Sequence, residues 1–148
     1  MTIDSFLLGH WSNVKQCCMY PTDFSHTHIL WEKIDGGYES KQWKHRDGRD
    51  NPYRHTYHTF EWQKNQILMK SYSTDWTTKQ GCVILFTSRG NGWYGTDIGK
   101  CFSKDGALIS TKMELSPDVI RVYDYGTKDG EFVFGGTKYH EFARIAQR

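Results

Sequence analysis

The stretch Asn51-Pro52-Tyr53-Arg54-His55-Thr56-Tyr57-His58-Thr59-Phe60 decides how the chain reads. A turn signal made by Asp47, Gly48, Asp50, Asn51 and Pro52 runs straight into alternating residues of high strand propensity. Pro52 has no N–H to give to a ladder, so it suits only the first position or an edge of a strand. A period of two then sends Arg54, Thr56, His58 and Phe60 to one face and Tyr53, His55, Tyr57 and Thr59 to the other. A guanidinium at the mouth of a strand, beside a phenol, suits the carboxylate of a flat, apolar ligand. The plain alternative is a surface Arg beside a half-buried Tyr.

The same rhythm extends in both directions. Upstream, residues 24–33 alternate, with His26, His28 and Leu30 on one side and Thr27, Ile29 and Trp31 on the other. Asp35-Gly36-Gly37 is a hairpin turn, and residues 38–45 return with Gln42 and Lys44 facing one way. Residues 2–8 read as one or two helical turns with Thr2 as N-cap, and residues 12–18 as a first strand. Downstream, strands at 53–63 and 66–72 flank Lys64-Asn65, residues 73–80 read as a polar loop, and 82–88 as a short apolar strand. Glycine- and aspartate-rich turns punctuate the remainder, at Gly99, Asp105-Gly106, Asp129-Gly130 and Gly135-Gly136. About ten short strands joined by tight turns make an antiparallel meander, with no crossover helix for a parallel sheet. The expected fold is all-β, one up-and-down barrel domain over residues 1–148 with a short N-terminal helical segment; a two-sheet sandwich is the alternative.

Composition limits the functional classes. Aromatics make up 16% of the 148 residues and the net charge is only +2, which favours strands and leaves no electrostatic footprint for nucleic acid or anionic membrane. The four cysteines, Cys17, Cys18, Cys82 and Cys101, show no CxxC spacing, so reduced thiols in a cytoplasmic protein are expected. The N-terminus lacks a signal-peptide pattern and no apolar run is long enough to span a bilayer. A His-x-His pair such as His26 and His28 can hold zinc with a third imidazole. However, His55 and His58 point to opposite faces of one strand, so no metal ligands are assigned. There is no phosphate loop, no Gly-x-Ser-x-Gly elbow and no recognisable carboxylate pair for glycoside chemistry.

Gly9-His10-Trp11 resembles the opening of calycin barrels such as lipocalins, where the Trp plugs the closed end beneath a basic residue of the last strand. Arg144 is the candidate cation. A longer series resembles the CpcT/CpeT family of phycobiliprotein chromophore lyases. It comprises the Gly9–Gln16 opening with Asn13, then Gln42, Asn51-Pro52-Tyr53-Arg54, Gly81-Cys82, Gly99-Lys100-Cys101, Glu114, Asp124-x-Gly126 and Phe134-Gly135. These motifs fall in order over nearly the whole chain.

The resemblance implies a lipocalin-like barrel that binds a linear tetrapyrrole (a phycobilin, phycoerythrobilin first) and delivers it to a cysteine on the β-subunit of phycoerythrin or phycocyanin. The acceptor thiolate adds to the ethylidene carbon of ring A, so the nucleophile belongs to the partner and no permanent cofactor is needed. On that basis Arg54 takes a propionate, Tyr53 packs on a pyrrole ring, and Asp124 accepts pyrrole N–H groups, with Glu114 a second acid. Gln42, Asn13 and Gln16 are either polar pocket contacts or barrel-end structure. Cys82 and Cys101 are either pocket thiols that hold bilin transiently or small buried hydrophobes. The chain is shorter than cellular members, as compact versions from cyanobacterial viruses are, and the missing length falls at 73–80. Lys112 stands where another acid is expected. A non-enzymatic bilin carrier or chaperone, and a lipid binder on the same barrel, are the alternatives. A homodimer is implied as well.

Overall fold

The computed structural model describes residues 3–135 and 138–145. Its elements in order are α1 (Asp4–Leu7), β1 (Gly9–Ser12), α2 (Val14–Met19), β2 (Thr27–Ile34), β3 (Gly37–Lys44), β4 (Arg54–Gln63) and β5 (Gln66–Tyr72). There follow β6 (Thr78–Arg89), β7 (Gly92–Asp97), β8 (Cys101–Phe102), β9 (Leu108–Leu115), β10 (Val119–Lys128), β11 (Glu131–Gly135) and β12 (His140–Arg144). All pairings are antiparallel.

The sheet closes. Within the 12-stranded order, β9 also pairs with β10, so every strand except β8 and β11 belongs to a ring, which leaves ten in the barrel wall. Closure satisfies the row of backbone groups that an open edge would leave exposed. The tight turns set the register: Ile34 lies opposite Gly37, Gln63 opposite Gln66, and Arg89 opposite Gly92. The faces expected for β4 are realised. Thr56 and His58 are buried inside the barrel, and His55 faces outward against Glu39 at 2.7 Å.

One end of the barrel is plugged. α1 lays Ile3, Phe6 and Leu7 against Trp11, Ile67, Phe86 and Ile120, all essentially excluded from water. Each large apolar side chain removed from water in this way contributes roughly 2–3 kcal/mol. Trp11 donates its indole N–H to the Leu7 carbonyl at 2.9 Å, while the Arg144 guanidinium stacks on its ring at 4.2 Å. Arg144 also donates to the Ser5 and Leu8 carbonyls and so ties the last strand to the helix.

Two local expectations change. The first strand stops at Ser12, and residues Val14–Met19 form a helix instead of continuing it. Ser12 Oγ accepts the Val14 N–H at 3.1 Å, which turns the chain out of the ladder. The polar loop after β5 is shorter than 73–80, because β6 begins at Thr78; Ser73 N–H to Thr77 C=O at 2.8 Å closes it. The proposed N-cap Thr2 lies outside the described residues.

The cysteine reading is corrected as well. Cys82 and Cys101 are joined in a disulfide with their Cα atoms 4.5 Å apart; Cys17 and Cys18 are free. They are neither separate pocket thiols nor independent buried hydrophobes. Gly81 and Gly99 make the pairing possible, because a Cβ on Gly81 would lie 2.1 Å from the Lys100 carbonyl oxygen and one on Gly99 2.4 Å from that of Gly81. The two backbones therefore run closer than side chains permit, and the sulfurs meet just beyond.

Candidate functional site at the open end of the barrel

The end opposite the plug is hollow. A cup of about 690 Å³ opens to solvent, and a narrower bore of about 210 Å³ lies in the barrel interior. Ile29, Gln42, Arg54, Val122 and Asp124 line both cavities. A cup of this size falls in the range of small-molecule sites.

β4 and β10 deliver the two charged groups at that boundary. Arg54 is the first residue of β4 on its inward face, and Asp124 follows Ile120 and Val122 on the inward face of β10. Arg54 donates from Nη1 to Asp124 Oδ2 at 3.1 Å, and Thr111 of β9 donates its hydroxyl to the other oxygen at 3.2 Å. Thr111 is positioned in turn by Asp97 Oδ1, which accepts its backbone N–H at 3.0 Å. The pair is monodentate, and the Arg54 side chain remains 45% exposed. Further guanidinium N–H groups are thus available for an anion in the cup.

Tyr53 and Gln42 form the adjoining wall. The Tyr53 hydroxyl donates to Gln42 Oε1 at 2.9 Å, and Lys44 Nζ lies 5.5 Å from the centre of its ring. Burial raises the Tyr53 phenol pKa; Arg54 opposes that rise and Asp124 adds to it. In the bore, burial lowers the Lys79 ammonium, helped by Arg54 and Lys104. His140 of β12 faces the cup and is lowered by burial and then by Lys44, with Asp124 acting the other way. The site thus offers the Tyr53 ring, several cations, and the carboxyl groups of Asp23 at the cup, Asp97 in the bore and Asp124 where the two meet.

The sequence matches no family model and no curated protein. Solved structures do share its architecture. The T-type phycobiliprotein lyase CpeT from Prochlorococcus phage P-HM1 superposes with a TM-score of 0.77 at 21% identity, over 96% of this chain and 94% of that one. The CRL protein of Arabidopsis superposes with a TM-score of 0.76 at 14% identity, over 97% and 95%. This chain has the fold of a phycobiliprotein lyase.

Against that lyase-like fold, the structure gathers Tyr53, Arg54, Gln42 and Asp124 at the cup, and the joined Cys82 and Cys101 beside the bore. Glu114 is not among them. It points outward from β9 and pairs with Arg121 at 3.6 Å, because the inward phase of that strand belongs to Thr111, Met113 and Leu115. The second-acid role expected for it is corrected accordingly. Lys112 shares its outward phase. Asn13 is fully buried at the barrel end, where Oδ1 accepts the Thr27 N–H at 2.7 Å and Nδ2 donates to the Ser25 carbonyl at 3.0 Å. Gln16 clamps α2 to β12 through the Tyr139 carbonyl at 2.9 Å and the Glu141 N–H at 2.8 Å. For Asn13 and Gln16, the barrel-end alternative is therefore the one realised.

Thr111, Lys79 and His140 join the site without having been picked out in the sequence. A period-two reading of residues 108–115 places Thr111 in phase with Met113 and Leu115, and that signal was available. Lys79 carried no such signal, because it lies in the stretch expected to be a loop.

Proposed function

We propose that the protein binds a phycobilin in the cup at the open end of its barrel and promotes its thioether attachment to a cysteine of a phycobiliprotein β-subunit. The observation that carries this reading is the Arg54–Asp124 pair, which places a cation and a carboxyl group side by side where cup and bore meet. The motif series along the chain and the fold shared with a phycobiliprotein lyase support it.

In this reading Arg54 uses its free N–H groups for a propionate, and Lys44 provides a second cation nearby. Tyr53 packs against a pyrrole ring. Asp124, already a double acceptor, exchanges one of its partners for pyrrole N–H groups and so favours the protonated, more electrophilic chromophore. The acceptor thiolate attacks the ethylidene carbon of ring A; a C–S bond forms, the C=C π pair is taken up by the ring system, and a proton restores the neutral pyrrole. The protein's part is to hold one conformer of a flexible chromophore with ring A reachable. Phycoerythrobilin is the first bilin to test, a phycoerythrin or phycocyanin β-subunit the acceptor, and a homodimer the expected assembly.

A carrier that binds bilin without attaching it is the second reading. The tight closure of residues 73–77 favours it, since no extended arm is present there to dock an acceptor. Titration with phycoerythrobilin is expected to produce a red-shifted, sharpened band that weakens in Arg54→Ala. Incubation with an apo β-subunit then separates the readings. Faster coloured adduct than in the spontaneous reaction supports a lyase, and binding with no acceleration supports a carrier. Affinity for fatty acids with no spectral response to bilin would overturn both.

A further inference from the structure

The outer face of β2 carries a second constellation, on the opposite side of the sheet from the cup. Thr27 and Ile29 point into the barrel, so His26 and His28 point out. β3 runs beside them with Trp43 opposite His28, and His45 follows just beyond its end, bonded through its backbone N–H to the His26 carbonyl at 2.9 Å. One nitrogen from each of His26, His28 and His45 falls within 4.8 Å of the others. His45 is the third imidazole that neither His55 nor His58 provides.

The arrangement is built rather than incidental. His28 is buried, stacked on Trp43 with ring centroids 5.1 Å apart, and bonded through Nδ1 to His10 Nε2 at 2.9 Å. Its Nε2 faces His45 Nδ1 at 2.9 Å. His26 is held by a hydrogen bond between Nε2 and Ser12 Oγ at 3.0 Å, which leaves Nδ1 for another partner. With Nδ1–H of His28 donated to His10, the lone pair on Nε2 points at the centre of the group. Metal-bound histidines commonly show this orientation, with the second ring nitrogen tied to an outer partner.

We propose that His26, His28 and His45 form a surface site for a borderline transition-metal dication of the zinc class, with solvent in the remaining position. Two nitrogens at about 2.0–2.1 Å from a tetrahedral ion lie roughly 3.3 Å apart, close to the present separation of His28 and His45. Binding needs no oxidant and no net loss of a proton. The N–H between the two rings moves to Nε2 of His45 by tautomer exchange through solvent, and the metal takes its place. His45, exposed and stacked on His26 with centroids 4.3 Å apart, unstacks to complete the set. Because His45 opens the connection that leads to Tyr53 and Arg54, an ion here would also brace the approach to the cup.

The test uses untagged, chelator-washed protein titrated with zinc chloride by calorimetry. One ion per chain is expected, weakened at least about tenfold in both His26→Gln and His45→Gln. His55→Gln, on the other side of β4 from the bore and remote from these rings, is expected to leave it unchanged. Both lost rings are at least partly exposed, so the variants are expected to fold, and unchanged melting curves in chelator would establish that. Absence of zinc binding at about 100 μM free ion, or full binding retained in both variants, would overturn the site. Bilin titration of the same variants in chelator keeps this result separate from the cup, since neither ring faces it.

Discussion

Arg54 and Asp124 stand 70 positions apart in the chain and 3.1 Å apart across the mouth of the barrel. Each begins or continues an inward-facing phase of its strand, and Thr111 takes the second carboxyl oxygen. Removing either charge leaves the other without its partner at the edge of the bore. Arg54→Ala is expected to weaken phycoerythrobilin binding by roughly tenfold or more, in line with about 1.5–3 kcal/mol for a charge-assisted hydrogen bond. Its cost to folding is expected to stay near 1 kcal/mol, since the pair is partly exposed. Asp124→Asn is expected to retain binding but shift the visible band toward the unprotonated chromophore. Absorption titration beside thermal melting checks both variants.

The disulfide divides the four cysteines into two classes. Alkylation of native protein is expected to add two groups by intact mass, at Cys17 and Cys18, and four after reduction and unfolding. Cys18 is expected to react first, because it is exposed while burial and its neighbour push the Cys17 thiol pKa up. Cys101→Ser is expected to lower stability by about 3 kcal/mol, the loop-closure value for a bridge of this span. Urea unfolding with and without reductant measures it, and reductant is expected to have little effect on the variant.

At the plugged end, Arg144→Ala removes a ring-stacked cation and the donors to the Ser5 and Leu8 carbonyls together. A loss of about 1–3 kcal/mol is expected. Arg144→Lys is expected to recover only part of it, because an ammonium cannot stack and fork at once. Bilin binding at the opposite end is expected to survive in any variant that remains folded. Chemical denaturation followed by Trp emission measures the stability change.

His58 predicts an acid-side stability slope. Burial pushes its imidazole down to about 3, with Lys79 adding to the effect, while Ser40 and Ser71 hold the two nitrogens at 2.8 and 3.1 Å. The same side chain in the unfolded chain titrates near 6.5, so between these values the unfolded state binds the extra proton. Its contribution is fully present above about pH 6.5 and is lost as the pH falls toward about 3. The slope from one such group is at most about 1.4 kcal/mol per pH unit. His58→Gln is expected to flatten the pH dependence of the urea midpoint over that range, whatever its effect at neutral pH.

Several features were legible because they depend only on neighbours in sequence. The alternation of 53–60 puts Thr56 and His58 on one face with Arg54, and Asp35-Gly36 makes a hairpin, without reference to the remainder of the chain. Trp11 and Arg144 were also paired from the sequence, through the resemblance of the opening motif to barrel proteins. Glu114 was misplaced although its own strand held the answer: Met113 and Leu115 alternate with it, and only one phase of a half-buried strand faces in.

Other features had no local signature. The seating of the Ser12–α2 segment against the barrel depends on Asn13 reaching across to Thr27 and Ser25, contacts that exist only once the barrel end has closed. The Cys82–Cys101 bridge depends on Gly81 and Gly99 letting two backbones approach, and the His26–His28–His45 group on β3 ending beside β2. By itself the sequence determined an antiparallel meander and which residues of β4 share a face, since side-chain alternation and turn chemistry act over a few residues. Tertiary structure alone decided which inward residues meet, because closing the ring sets Arg54 against Asp124 by the register accumulated over every strand between them.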